Sequence, residues 1–402
     1  MPALQHIRWT DRSGHEHGRL VRSFQISGDD GSLKTRVQYH VGGGASVADP
    51  SNWRPALDAT TGRELLHTTD YAKVNNVFRS TDGHTVAIDE KAQKDATGRY
   101  VLRRSSTDGG VSWSSTRAPI DTTGATVDPG AVGRVFQRVI RLPGDGSLVT
   151  PFYAAHARIG DNYLSASHLL VSTTEGRSWS WAATVFKSDT NTYSESSVTR
   201  RADGRLVVVA RYDVVQNGNR YARLASRTTH AAVDDAASLR AATWGPWTAV
   251  KVPGAADPHA AQGVAPVLHT MDNGVLLLAF GRPGNKITAS HDGGATWGAA
   301  HDLYDNIPTS GCTKGFPTSI GYFPCSSLGS SGYLGVAVTD GRTAYVMGDN
   351  CHTNWGCAGD YRYPHGRDAK LWYSTVVFED IRIAPLYGRA CPTECANLLG
   401  SA

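Results

Sequence analysis

The first 311 residues of this 402-residue chain contain no cysteine; all six (Cys312, Cys325, Cys351, Cys357, Cys391 and Cys395) fall in the last quarter. An even number on a loop-rich tail reads as three disulfides made in an oxidising compartment, with fifteen connectivities open. The rival use, a zinc site, finds no CxxC pair, and His352 and His365 complete no ligand spacing, so no metal is expected. Long apolar runs are missing too: none approaches the roughly 18 residues a membrane helix needs. Nor is there a dense run of Lys or Arg. With a formal charge of only +4, nothing supports a nucleic-acid surface. The chain opens MPALQHIRW, without the basic-then-apolar pattern of a leader. Cysteine usage therefore leads us to expect a secreted protein whose leader is absent from this sequence.

Apolar residues make up 40% of the chain, and 43 Gly and 18 Pro are spread along it, which suits a large core cut by many turns and excludes wholesale disorder or a collagen-like chain. One template recurs: an apolar strand, a polar turn ending in Gly, and a second apolar strand. It reads VNNVFRSTDGHTVAIDE (74–90), QRVIRLPGDGSLVTPFY (137–153), ESSVTRRADGRLVVVAR (195–211), APVLHTMDNGVLLLAFG (265–281) and YLGVAVTDGRTAYVMGD (333–349). The turn glycines Gly83, Gly146, Gly204, Gly274 and Gly341 recur every 58 to 70 residues. Asp-Gly and Asn-Gly between β-rich runs are hairpin turns, because those residues tolerate positive φ. A fainter copy, SFQISGDDGSLKTRVQYHV (23–41), precedes the five. The stretch AAVDDAASLRAA (232–243) is expected to form one short helix.

A second element follows the hairpin in three repeats, at 106–113 (STDGGVSW), 172–179 (STTEGRSW) and 290–297 (SHDGGATW). Its pattern is Ser-x-Asp-x-Gly-x-Ser/Thr-Trp. The Asp bonds nearby backbone N–H groups, Gly takes a positive φ, and Trp packs beneath. Thr174 replaces Asp in the second copy, which is expected to weaken that turn. These turns serve packing rather than chemistry.

The three copies resemble the Asp-box, or bacterial neuraminidase repeat, of the sialidase superfamily. The resemblance implies an all-β fold: a six-bladed β-propeller of four-stranded antiparallel blades, one domain over 1–402. The N-terminal strands and the C-terminal stretch VVFEDIRIA (376–384) are expected to close one blade, followed by a disulfide-containing tail at 385–402.

A propeller binds ligands where its inner strands converge on the channel, so residues at equal offsets from each hairpin Gly should meet. Counting back eight to ten positions gives Lys73, Gln137 with Arg138, Glu195 and Tyr333, polar groups where a packed core would prefer hydrophobes. Family comparison adds roles. LysValAsn at 73–75 stands where sialidases carry Arg-Ile-Pro. The segment 87–113 is similar to the one bearing the acid/base Asp, a role that falls on Asp95. Glu195 matches the catalytic Glu, Arg211 one Arg of the carboxylate-binding triad, and Tyr333 the nucleophile. The remaining triad member is Arg282 or Lys286. Each residue also has a plainer use: Glu195 and Arg211 as a structural ion pair, Tyr333 as a packed aromatic, Asp95 as a solvated loop carboxylate.

The implied activity is that of a secreted, retaining exo-glycosidase releasing a terminal acidic sugar, without a cofactor and acting as a monomer on a glycan. A neutral Tyr nucleophile avoids repelling the substrate's carboxylate. Lysine at 73 lacks the planar fork of arginine, which points to a different acidic sugar or a slipped alignment. The alternative is a polysaccharide lyase acting on a uronic-acid glycan with a His or Tyr base, for which HisThrThrAspTyr (67–71) is a candidate cluster. The segment 361–368 (YRYPHGRD) is either a substrate loop or solvated decoration.

Overall fold

The computed structural model describes residues 3–11, 13–25, 35–43, 45, 47, 49–67, 76–159, 162–216, 219–253, 263–281, 285–304, 333–340, 343–349, 371–377 and 382–386. Among them, strands assemble into one five-stranded sheet, one eleven-stranded sheet and three four-stranded sheets. The eleven-stranded sheet holds two blades joined by a short parallel pairing of Ile120 and Asp121 with Trp179 and Ser180, which makes six antiparallel blades of a β-propeller. The first comprises Ala3–Thr10, Glu16–Gln25, Thr35–His40 and Trp53–Pro55. The second comprises Asn76–Arg79, Thr85–Ile88, Gly98–Ser106 and Ser112–Asp121. In the third, the short pieces Arg134–Val135 and Ile140–Arg141 line up beside Leu148–Ile159, followed by Asn162–Ser172 and Trp179–Phe186. The fourth holds Thr192–Arg200, Leu206–Gln216, Asn219–Thr228 and Thr248–Ala249. The fifth holds Val264–Thr270, Leu276–Gly281, Asn285–Ser290 and His301–Tyr304. The sixth holds Gly335–Asp340, Thr343–Asp349, Leu371–Val377 and Arg382–Leu386.

Turn chemistry puts the hairpins where the repeats predict them. Gly83, Gly146, Gly204 and Gly274 all have φ between +72° and +85°, the region L side chains avoid; Gly341 lies outside the described residues. The sixth copy falls elsewhere than expected. The inner hairpin of the first blade turns at Gly14, 69 residues before Gly83, while the fainter copy at 23–41 spans the end of its second strand and all of its third. The repeat was hidden because its strands, ALQHIRWT and EHGRLVRS, carry His, Arg and Gln between their apolar positions.

Ring closure also differs from expectation. Among the described residues no strand is shared between the chain ends: the first four strands pair among themselves, and 371–377 with 382–386 completes the sixth sheet. The ends meet by packing instead. Leu4 joins Ala337 and Met347 in one buried cluster, and the backbones approach so closely that a Cβ on Gly335 would lie 2.1 Å from the Leu4 nitrogen. Apolar clusters of this kind fill each gap between neighbouring blades, such as Val149, Leu169, Val198 and Val208 between the third and fourth. No helix among the described residues is long and apolar enough to cross a membrane. The helix expected in 232–243 is present as Ala236–Arg240, capped by Asp235 and Ser238 and anchored by buried Leu239.

Each Trp-terminated turn is a closed network of hydrogen bonds. In the first, Ser106 Oγ donates to Asp108 and accepts from Gly110 N, Ser112 donates to Asp108, and fully buried Trp113 donates Nε1–H to Gly110 O at 2.9 Å. At 172–179 the Thr174 hydroxyl accepts from Ser178 N at 2.9 Å, so one oxygen does part of the work of a carboxylate's two. At 290–297, burial pushes the Asp292 carboxyl up, but hydrogen bonds from Thr296 and Ser290 outweigh it and hold the group at about 2 instead of the ordinary 3.8. A lowered carboxyl stabilises the fold above its unfolded value and loses that contribution as pH falls through its folded value. Asp292→Asn is therefore expected to lower the thermal midpoint at pH 7, with the gap from wild type closing as pH falls from about 4 to 2, read by a pH series of melting curves.

Candidate active site

Two strand irregularities aim the central carboxylate. Glu195 sits in the bulge of Thr192–Arg200 where pairing with the next strand skips between Tyr193 and Ser196. Ala265 sits in a matching bulge of Val264–Thr270, with φ +49°. Bulges re-aim side chains, and here they turn a charged group inward: Glu195 is 5% exposed. Its Oε2 accepts from Ala265 N at 2.9 Å and from Arg211 Nη1 at 3.3 Å, while its Oε1 accepts from the hydroxyl of Tyr333. Arg211 is shared. Its Nε and Nη2 donate to the two oxygens of Asp213 at 2.9 and 3.3 Å. Positions 211 and 213 point to the same face of one strand, as residues two apart must. Three of the predicted residues, Glu195, Arg211 and Tyr333, thus meet, contributed by the fourth blade and by the segment that enters the sixth.

Further groups stand around them. Tyr153 and Tyr333 pack against one buried cluster of Phe136, Ala222, Val264 and Ala265. The Tyr153 phenol is pushed up by burial, with Arg134 and Arg211 opposing and Glu195 and Glu90 adding to the rise, so all four charges lie within electrostatic reach of it. Glu90 is fully buried and pairs with Arg134 at 3.5 Å. Glu90, Tyr153 and Arg211 each lie seven residues beyond the turn glycine of their own blade (Gly83, Gly146 and Gly204). That common offset was the signal in the sequence for Glu90 and Tyr153, which counting backwards from the glycine passed over; Asp213 was legible as the same-face neighbour of Arg211.

Other candidates lie apart. Asp95 ends the strand Gln93–Asp95, where its carboxylate accepts from Thr97 N and Oγ1 and pairs with Arg117 at 2.6 Å; hydrogen bonds from Thr97 hold it below the ordinary carboxylate range. None of those contacts leads to Glu195 or Tyr333. Arg138 contacts Nδ1 of His269 on the fifth blade; burial lowers the guanidinium to about 10 and, with Arg138 adjacent, the imidazole well below its usual value. At neutral pH that pair is a cation beside a neutral ring. Lys286 lies half-buried on Asn285–Ser290. Lys73, Arg282, the 68–71 part of the His-Tyr cluster, segment 361–368 and all six cysteines lie outside the described residues.

A family model, the BNR repeat-like domain, matches residues 18–364. The chain belongs to that family. Solved structures show the same fold at low sequence identity. A protein of unknown function from Dyadobacter fermentans is 16% identical, with 88% of this chain and 91% of that one covered at a TM-score of 0.55. The Penicillium chrysogenum alpha-L-arabinanase complexed with arabinobiose is 12% identical, with 94% of each chain covered and a TM-score of 0.52. The alpha-L-arabinofuranosidase of Fusarium graminearum with arabinobiose is 10% identical, with 94% and 93% covered and a TM-score of 0.52. Comparison with curated protein sequences gives no match. Within the family frame, the ring of equal offsets marks the mouth of the propeller as the place where this chain gathers its polar side chains.

Proposed function

We propose that the protein is a secreted, retaining exo-glycoside hydrolase releasing a terminal acidic sugar, its Trp-terminated turns being Asp-boxes and its six cysteines disulfide-bonded. The observation that carries the catalytic reading is the hydrogen bond from the Tyr333 hydroxyl to a buried Glu195 whose other oxygen is already fixed by Arg211 and Ala265. A phenol is a weak nucleophile until a neighbour takes its proton, and Glu195 is placed to do so. As Oη of Tyr333 bonds to the anomeric carbon, its proton passes to Glu195. The bond to the leaving oxygen breaks, and that oxygen takes a proton from a carboxylic acid; water then displaces Tyr333 with retention. Arg211, Lys73 and Arg282 or Lys286 are assigned by resemblance to the substrate carboxylate, and Arg138 by its offset from the turn glycine.

A second reading, a neutral sugar, is favoured by one observation: Arg211 commits donors to Asp213 and Glu195, which leaves less of its fork for a substrate anion. The arabinobiose complexes of the two fungal relatives point the same way. The lyase alternative has its candidate base in 67–71, of which 68–71 lie outside the described residues; among the described ones, the Tyr153 phenol is raised by burial and His269 contacts Arg138. A panel of aryl glycosides of sialic, ketodeoxy and uronic acids, with an arabinofuranoside beside them, tests all three. Turnover of an acidic glycoside with retention by proton NMR is expected. Turnover of the arabinofuranoside alone, or product absorbing as an unsaturated uronate, would overturn the acidic-sugar hydrolase.

Leaving-group protonation rests on resemblance for Asp95, and Glu90 is the carboxylate that geometry adds. Losing a general acid costs about 10²–10⁴-fold where the leaving group needs a proton and little where it does not. Asp95→Asn is expected to show that split between an alkyl glycoside and the corresponding glycosyl fluoride. The same split appearing in Glu90→Gln instead would move the role to Glu90.

A further inference from the structure

Along the third blade lies a cavity of about 490 Å³, in the range of roughly 300–1,000 Å³ typical of small-molecule sites. Lys91, Asp128, Arg134, Tyr153, Tyr163 and Ser165 face it. Two of these tie it to the site: Tyr153 packs against the same buried cluster as Tyr333 and lies within electrostatic reach of Glu195, and Arg134 pairs with buried Glu90. From there the cavity follows the third-blade hairpin outward. A bulge between Ala155 and Ala157 bends that hairpin just beyond Tyr153. At its tip stands Tyr163, 54% exposed, with the Arg158 guanidinium 5.4 Å from its ring centre. The Tyr163 carbonyl accepts from Thr192, the first residue of the strand that carries Glu195.

The opposite wall is built rather than loose. Asp128 N donates to Ala155 O at 2.8 Å, and the Asp128 carboxylate caps Gly130 N at 2.6 Å. Arg99 holds the carbonyls of Ala131 and Val132, and Lys94 holds that of Pro129. A loop whose carbonyls are tied by two cations from two other strands costs little to order when a ligand arrives. The chemistry on offer is an exposed aromatic face at one end, and hydroxyl, carboxylate and cationic groups around the rest. Sugars match that combination, apolar C–H face to ring and hydroxyls to the polar rim. Lys91 and Arg134 are balanced by Asp128 and Glu90, so a neutral sugar suits the cavity better than a second acidic one.

We propose that this cavity is the subsite for the neutral sugar on the leaving-group side of the scissile bond, with Tyr163 as its stacking platform. The inference rests on the glycosidase reading, and it places the specificity for the second sugar in the third blade. The test compares the acidic glycoside turned over best, as a trisaccharide with neutral leaving sugars and as its glycosyl fluoride, whose leaving group cannot fill the cavity. For Tyr163→Ala, kcat/KM on the trisaccharide is expected to fall about tenfold, mainly through KM, while the fluoride stays within about twofold. Ser165→Trp, which fills the cavity without removing a wall, is expected to give the same split. Equal losses on both substrates, or no loss on either, would overturn the subsite.

Should the wild type hydrolyse neither substrate, the glycosidase reading fails, and the cavity is then judged by calorimetric binding of 3′-sialyllactose to Tyr333→Phe. Binding abolished by Ser165→Trp supports the cavity. Binding unchanged by that substitution, or no binding at all, overturns it.

Discussion

Tyr333→Phe is expected to lower kcat/KM by on the order of 10³-fold or more while leaving the melting temperature near that of the wild type. The ring keeps its packing against Phe136, Val264 and Ala265, so the substitution removes one oxygen and little else. That oxygen is the one that would bond to the anomeric carbon. Removing a member of a nucleophile–base unit costs close to the whole unit's contribution, because its parts act together. Glu195→Gln should therefore resemble Tyr333→Phe, and the double variant should be hardly worse than either. A 2-fluoro or 3-fluoro activated glycoside gives a direct check: mass spectrometry of a peptic digest is expected to find the sugar on the peptide containing Tyr333. An adduct on a carboxylate, or full turnover by Tyr333→Phe, would remove tyrosine from the chemistry.

Arg211→Ala is expected to destabilise the fold by about 3–5 kcal/mol, measured by chemical denaturation. Arg211 is 8% exposed and stands between two carboxylates, Glu195 at 5% and Asp213 at 8%. Deleting it leaves both buried without their shared cation, and breaking a buried pair in this way costs far more than the pair's own net worth. The contrast is the double variant Arg211→Met with Asp213→Leu, which removes one charge of each sign and should regain much of that loss. A single variant no less stable than wild type would mean that water or another cation already satisfies the carboxylates. Asp213 is accordingly a positioning residue, fixing the guanidinium that fixes Glu195.

Where reading the residues succeeded, local chemistry sufficed. Asp-Gly and Asn-Gly turns require a positive φ whatever surrounds them, so Gly83, Gly146, Gly204 and Gly274 could be located without coordinates. The Ser-x-Asp-x-Gly-x-Ser/Thr-Trp turns are equally self-contained, since donors and acceptors lie within eight residues of one another. Counting back from the turn glycine found Glu195 and Tyr333, and the family comparison found Arg211, three residues that meet; Arg138, at the same backward offset, contacts His269 instead. The backward count missed Glu90 and Tyr153 because they stand on the outgoing side of the hairpin; Asp95, assigned by resemblance, has its carboxylate turned to Thr97 and Arg117. The shared terminal blade failed for a different reason. Strand pairing between chain ends is non-local, and no residue pattern distinguishes a strand that crosses the ring seam from one that packs beside it.

By itself, then, the order of residues determined where the hairpins at Gly83, Gly146, Gly204 and Gly274 turn and which level of their strands carries polar groups, because turn conformation and strand alternation are short-range properties. Only the folded ring decided which of those groups touch. Whether Glu195 receives its bonds from Arg211, Ala265 and Tyr333, and whether Asp213 stands behind the guanidinium, depends on two bulges and on the angle between neighbouring blades. Those follow from how large apolar faces pack, a sum over contacts that no single stretch of the chain contains.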